Sequence, residues 1–196
     1  MPIKHFSDLL AAAKEKGPKT IVAVNAQHES VLEALVAGQS QGMSNSILVG
    51  NKPKIIELAQ QCELDISDME IIHETDKTLA ARQAMILVRD GQAHIAMKGQ
   101  IDTATFMRAV LDREMGLRSG ELLSHVAVFD LEGFDRLIFI SDAGINISPT
   151  LTQKADIIRN AIYVAHRLGL EKPRVAVLAS NEMVNPKIQA NIEAAT

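Results

Sequence analysis

Short apolar runs recur along the chain, and most are separated by segments with helical spacing. Ile21-Val22-Ala23-Val24, Ile47-Leu48-Val49, Ile71-Ile72, Ile95-Ala96-Met97, Val126-Ala127-Val128-Phe129, Leu137-Ile138-Phe139-Ile140 and Val175-Ala176-Val177-Leu178 predict strands. They are mostly continuous rather than alternating, as expected of a parallel sheet covered on both faces. Leu9, Leu10 and Ala13 share a face of a first helix, with Ser7 as its cap and Gly17-Pro18 as its stop. Val31, Leu32, Leu35 and Val36 mark a second helix, and Ile55, Ile56 and Leu58 a third. Leu79, Ala80, Met85, Leu87 and Val88 mark a fourth, ended by Asp90-Gly91, and Phe106, Met107, Val110 and Leu111 a shorter fifth.

The rhythm changes after residue 111. Residues 112–124 are polar and contain Gly116 and Gly120, which reads as a linker or a cleft-lining segment. Only residues 130–136 join the next two strands, too few for a parallel crossover, so these should form an antiparallel hairpin. A long helix is expected from about Pro149 to Leu168, with Ser148-Pro149 as cap and first turn. Leu151, Ile158, Ile162 and Ala165 form its buried stripe, and Gly169 and Pro173 close it. A last helix should start at Asn185-Pro186, with Ile188, Ile192 and Ala195 on one face and no strand beyond it. The pattern predicts an α/β protein of two α/β domains with mainly parallel sheets, 1–120 and 121–196. The second would be incomplete, truncated at the C-terminus in mid-crossover.

Composition narrows the function classes. The 196 residues carry 20 Lys+Arg against 24 Asp+Glu, a net charge of −4 that suggests neither a basic nucleic-acid footprint nor an acidic tail. Five Phe, one Tyr and no Trp leave little to stack on bases. The single cysteine, Cys62, cannot form an internal disulfide, which points to a reducing, cytoplasmic setting. Apolar runs fall far short of the ~18 residues that span a bilayer, and the first residues lack the apolar core of a signal peptide. Neither a nucleic-acid nor a membrane partner is expected.

Two strand-to-helix loops carry chemistry, because free backbone N–H groups and helix dipoles converge there in doubly wound sheets. In Met97-Lys98-Gly99-Gln100-Ile101-Asp102-Thr103, a lysine, a glycine permitting close approach, and the hydroxyls of Thr103 and Thr105 suit a phosphate. Taken alone, the same residues read more simply as a surface lysine, a turn glycine and an ordinary Asp/Thr cap. In Ser141-Asp142-Ala143-Gly144-Ile145-Asn146-Ile147-Ser148-Pro149, Asp142 and Asn146 suit a polar site, or an Asx turn followed by a Ser-Pro cap. Arg118, Ser119 and Ser124 flank the expected domain boundary, where an arginine can grip an anion or simply lie in a solvated linker. No G-x-G-x-x-G, P-loop, G-x-S-x-G or H-E-x-x-H motif occurs, and the histidines are scattered, so no metal site is expected. Cys62 sits beside Glu63, which disfavours a thiolate nucleophile.

Taken together, these segments resemble the phosphate acetyl/butyryltransferase family, and the butyryl branch more closely than the acetyl branch. The resemblance is carried by Lys98-Gly99 through Thr103, and by Gly116-Leu117-Arg118-Ser119-Gly120 followed by Leu123-Ser124-His125-Val126-Ala127-Val128-Phe129. The block Ser141 to Thr150, resembling a D-x-x-x-N-x-x-P motif, adds to it, as do Gln153-Lys154-Ala155-Asp156-Ile157-Ile158 and Val184-Asn185-Pro186-Lys187. It implies the reaction acyl-CoA + phosphate ⇌ acyl phosphate + CoA in a cleft between two α/β domains, an isocitrate/isopropylmalate dehydrogenase-like architecture. It implies coenzyme A as substrate, no cofactor and a homo-oligomer. Lys98, Gly99, Thr103, Arg118, Ser119 and Ser124 become candidate contacts to phosphate and CoA, with Asp142 and Asn146 shaping the floor. Family members are longer and carry a Ser-Arg pair and a downstream Asp near their C-termini. This chain stops before that region, so no catalytic base is assigned. Two other readings stand beside this one: a truncated, non-catalytic CoA- or acyl-phosphate-binding protein, and an NAD-using relative of the isopropylmalate dehydrogenase-like folds.

Overall fold

The computed structural model describes residues 3–118, 122–178 and 185–195. The chain divides into two compact units, one of Ala11–Gly120 and one of Met1–Leu10 with Glu121–Thr196.

The first of these is an α/β sandwich. Its strands β1 (Lys19–Val24), β2 (Ser44–Gly50), β3 (Glu70–His73) and β4 (Ile95–Lys98) form one sheet in the order β3-β2-β1-β4, parallel throughout. Helices α2 (Glu29–Ser40), α3 (Lys52–Gln61), α4 (Lys77–Arg89) and α5 (Thr103–Val110) connect or follow the strands. Strand residues alternate between faces, so β1 and β2 serve two cores. Ala23 and Leu48 pack with Val31, Leu32, Leu35, Ile55 and Ala59 from α2 and α3. Val22, Val24, Ile47 and Val49 pack with Ala80, Ala81, Ala84, Met85 and Ala109 from α4 and α5. Covering both faces explains why these strands read as unbroken apolar runs. The chain steps outward from β1 to β2 to β3, then returns to place β4 on the other side of β1. The reversal falls between the carboxyl ends of β1 and β4, where open α/β sheets leave a crevice.

In the other unit, β5 (Ala127–Phe129) and β6 (Ile138–Ile140) pair antiparallel, as the short connection requires. Helices α6 (Leu151–Arg167) and α7 (Gln189–Ala194) follow. The first residues of the chain belong here for identifiable reasons. The Ile3 N–H donates to the Leu168 carbonyl at 3.0 Å, and the Phe6 N–H donates to Asp130 Oδ2 at 2.8 Å. His5 Nδ1 lies 3.0 Å from Asp130 Oδ1, and Lys4 Nζ lies 2.7 Å from Asp135 Oδ2.

Several local expectations are corrected. Val175-Ala176-Val177-Leu178 is not a strand: no strand pairs with it among the described residues, and Leu178 is 87% exposed. A β-branched run has no strand structure without a partner for its backbone groups. Helix α1 (Phe6–Glu15) begins before Ser7, and it is Asp8 that accepts from the Lys4 and His5 N–H groups. The cap of α6 is Thr150, not Ser148. Its hydroxyl accepts from the Gln153 N–H while the Gln153 side chain accepts from the Thr150 N–H, a reciprocal pair that Ser148 lacks. The most deeply buried residues of α6 are Ile157 and Ala165, whereas Leu151 is exposed. Asn185-Pro186 forms a turn ahead of α7, whose buried residue is Asn191, while Ile192 is exposed.

Candidate functional site

The sequence-predicted residues fall into two groups, one in each unit. In the unit holding the parallel sheet, Lys98 is the last residue of β4 and is exposed, Gly99 follows it, and Thr103 opens α5 with its side chain exposed. The glycine is required by the protein itself. A Cβ on Gly99 would lie 2.4 Å from the Asn25 carbonyl oxygen and 2.5 Å from that of Val24. Those carbonyls accept from the Gln100 and Gly99 N–H groups at 2.8 and 2.9 Å, so the lysine loop is stitched onto the end of β1. The close approach is therefore between two backbones.

The start of α5 carries its own anion. Asp102 caps the helix by accepting from the Thr105 N–H at 2.8 Å. The Thr105 N–H and hydroxyl, with Arg108 contributing, hold the Asp102 carboxyl below its ordinary value against burial. Arg108 in turn donates to Thr105 Oγ1 at 3.0 Å. Thr105 is thus committed to the cap, whereas no side-chain hydrogen bond engages Lys98 or Thr103 among the described residues. Arg118 is exposed at the end of the segment that Leu117 anchors to the α4/α5 core. Ser119 lies outside the described residues.

Sequence reasoning missed Asn25. It follows β1 directly, is fully buried, and holds a left-handed backbone conformation at φ 52°. Its Nδ2 reaches only the Gln100 carbonyl at 3.5 Å, and its Oδ1 has no partner among the described residues. Gln27 Oε1, packed over Gly50, is likewise buried without a partner. The available signal was a lone amide closing an apolar strand.

In the other unit Asp142 and Asn146 are hydrogen-bonded to each other and hold the backbone beside Ser124, whose own side chain bonds Asn160. Asp142 Oδ1 accepts from the Gly144 and Ile145 N–H groups, both at 3.0 Å, forming the Asx turn. Asn146 Nδ2 donates to Asp142 Oδ2 at 2.5 Å and to the Leu123 carbonyl at 3.0 Å. Burial pushes the Asp142 carboxyl up, but Asn146 and the Ile145, Gly144 and His125 N–H groups outweigh it and hold the value below the ordinary one. A carboxylate so fully engaged is a weak proton acceptor. Ser124 Oγ accepts from Asn160 Nδ2 at 2.9 Å, a partner that sequence reasoning also missed. Asn160 lies one helical turn after buried Ile157, so a polar residue on the inward face of an amphipathic helix was the signal.

Two further groups bear on the chemistry. Burial pushes the Cys62 thiol up, reinforced by Glu29 and Glu33, so it is no activated nucleophile. Among the described residues no cluster of three or more His, Cys, Asp or Glu is placed to hold a metal, and no helix is long and apolar enough to cross a membrane.

Comparison with known proteins gives the family. Over 193 residues the chain is 42% identical to the phosphate butyryltransferase of Clostridium acetobutylicum, covering 98% of this chain and 64% of that protein. It is 45% identical over 192 residues to the phosphate butyryltransferase of Clostridium beijerinckii, with the same two coverages. The chain thus spans just under two thirds of the length of these two relatives. The crystal structure of a branched-chain phosphotransacylase from Enterococcus faecalis superposes with a TM-score of 0.77 at 27% identity, over 90% of this chain and 62% of that one. The family described as "Phosphate acetyl/butaryl transferase" matches residues 76–195, more than half of the sequence. From the lysine loop through the Asp142 turn to α7, the chain belongs to the phosphate acetyl/butyryltransferase family.

Proposed function

We propose that this protein is a phosphate acyltransferase of the butyryl branch, converting acyl-CoA and phosphate to acyl phosphate and CoA. What supports the reading is that every candidate residue, from Lys98 to Asn146, lies inside the span matched by the family. The identity to two phosphate butyryltransferases supports the branch.

The reaction sets clear demands. A phosphate oxygen attacks the thioester carbonyl, a tetrahedral oxyanion forms, and the C–S bond breaks as the CoA thiolate leaves. Phosphate and oxyanion need fixed positive charge and hydrogen-bond donors. In this reading Lys98 and Arg118 supply the cations, and Thr103, Ser119 and Ser124 the hydroxyls. Gly99 sets the height of the lysine loop against β1, while Asp142 and Asn146 hold the segment that carries Ser124. The departing thiolate, or a thiol attacking in reverse, requires a proton-handling group that these residues do not include. Coenzyme A enters as substrate, and the reading calls on no bound cofactor. It carries with it an isocitrate/isopropylmalate dehydrogenase-like architecture with domains 1–120 and 121–196, a homo-oligomer, and a cytoplasmic setting.

The test is release of free thiol from butyryl-CoA, followed with a thiol reagent, with and without phosphate. Phosphate-dependent release is expected, and its absence overturns the proposal.

A further inference from the structure

Residues 122–125 lead into β5 without strand partners, yet side chains hold their backbone as a neighbouring strand would. Asn160 Nδ2 donates to the Leu122 carbonyl at 2.9 Å, and Asn146 Nδ2 to the Leu123 carbonyl at 3.0 Å. Ser141 Oγ donates to the His125 carbonyl at 2.7 Å, and the His125 N–H donates to the Asp142 carboxylate. Side chains thus form a ladder along the segment, and Ser124 is the residue whose side chain is caught in it.

The polarity of that capture is fixed by elementary chemistry. A backbone carbonyl only accepts hydrogen bonds, so the Leu122 carbonyl requires the NH2 end of Asn160 to face it. The second hydrogen of that NH2 points at Ser124 Oγ, also 2.9 Å away, which must therefore accept. A serine hydroxyl that has accepted keeps its own hydrogen to give, and among the described residues no group takes it. Asn160 is half-buried beside Ile157, where an amide is tolerated because both its hydrogens are used.

We propose that Asn160 is a positioning residue that fixes Ser124 Oγ as an acceptor on one side, so that the Ser124 hydroxyl donates outward to an anionic oxygen of a phosphate group. The proposal rests on the phosphate acyltransferase reading, because that reading supplies the phosphate. Two sources share the chemistry: inorganic phosphate and the phosphates of CoA.

The experiment is calorimetric binding of inorganic phosphate, CoA and dephospho-CoA to wild type, Ser124→Ala, Asn160→Leu, the double variant and Asn160→Gln. Leu matches Asn closely in shape and lacks the donor. A cycle built on Asn160→Ser replaces it should the Leu variant fail to fold. A hydrogen bond to a charged group predicts that Ser124→Ala weakens binding roughly 10- to 100-fold. Asn160→Leu should weaken it to a similar degree, the double variant should be no worse than Ser124→Ala alone, and Asn160→Gln should recover part of the loss. Losses seen with inorganic phosphate place the donor on the transferred group. Losses confined to CoA place it on the 3′-phosphate that dephospho-CoA lacks. Additive losses in the double variant, or wild-type affinity in Asn160→Leu, overturn this proposal while leaving the functional reading intact. A wild type that binds none of the three ligands overturns the functional reading and this proposal with it.

Discussion

Adding a single methyl at Gly99 tests how the lysine loop is held. A Cβ there would sit 2.4 Å from the Asn25 carbonyl oxygen, 2.5 Å from the Val24 carbonyl oxygen and 3.0 Å from the Asn25 carbonyl carbon. Ordinary van der Waals contact begins near 3.4 Å, so the ends of β1 and β4 must part by about 1 Å. The atoms in the way are backbone and cannot rotate aside. They are also the acceptors for the Gly99 and Gln100 N–H groups, so relief of the clash breaks both bonds. Two lost hydrogen bonds at about 0.5–1.5 kcal/mol each, added to about 1–3 kcal/mol of overpacking, give roughly 2–6 kcal/mol for Gly99→Ala. Gly91 provides the control. It has φ +75° and open space around the missing Cβ, so Gly91→Ala should cost only about 1–2 kcal/mol of backbone strain. Urea unfolding followed by far-ultraviolet circular dichroism measures both variants. Hydrogen exchange at Gly99 and Gln100 should show lost protection in Gly99→Ala alone. A Gly99→Ala protein no less stable than Gly91→Ala, with those amides still protected, would refute the stitching of this loop to β1.

Further outcomes follow from the same structure. Thr150→Ala removes the hydroxyl half of the reciprocal cap of α6, leaving only the Thr150 N–H bonded to Gln153, and should cost about 1 kcal/mol, read as a lowered melting temperature, while Ser148→Ala should cost almost nothing. Leu32→Ala empties a fully buried site between α2 and the sheet and should cost about 2–5 kcal/mol in urea unfolding. The hydrogen bond to Asp130 raises His5 above its ordinary 6.5 against the opposing effect of burial, with the charges of Asp130, Asp8 and Asp135 adding. A raised value in the folded protein means that the His5 contribution is complete below the ordinary value and is lost as pH rises through the raised one. Melting temperatures measured between about pH 5.5 and 8.5 should therefore fall more steeply for wild type than for His5→Gln, and parallel profiles would sink this assignment.

The parallel sheet was legible in the sequence because its strands are buried on both faces and read as continuous apolar runs. Ile21 to Val24 and Ile47 to Val49 lie where such runs predict, and the hairpin follows from the shortness of the 130–136 connection. Val175 to Leu178 has the same composition and no strand, because pairing depends on a partner that a local pattern cannot supply. Ser148 and Thr150 are both cap-forming residue types, but only Thr150 stands three residues before a glutamine that can reach back to its N–H. The site divides in the same way. Lys98, Asp142 and Asn146 were visible as polar residues in strand-to-helix loops, and Gly99 as the glycine beside the lysine. Asn25 and Asn160 were hidden, since each looks like an isolated amide until long-range geometry gives it Gln100 or Ser124 as neighbour.

The most direct test of the acyltransferase reading follows both products of one reaction. Butyryl-CoA and inorganic phosphate are mixed with the protein, free thiol is read with a thiol reagent, and acyl phosphate is trapped with hydroxylamine as the hydroxamate. The account predicts thiol and hydroxamate in equal amounts, both abolished when phosphate is withheld. Thiol released without phosphate or without hydroxamate would mark a hydrolase, and CoA binding with neither product would mark a binding protein; either result contradicts the account.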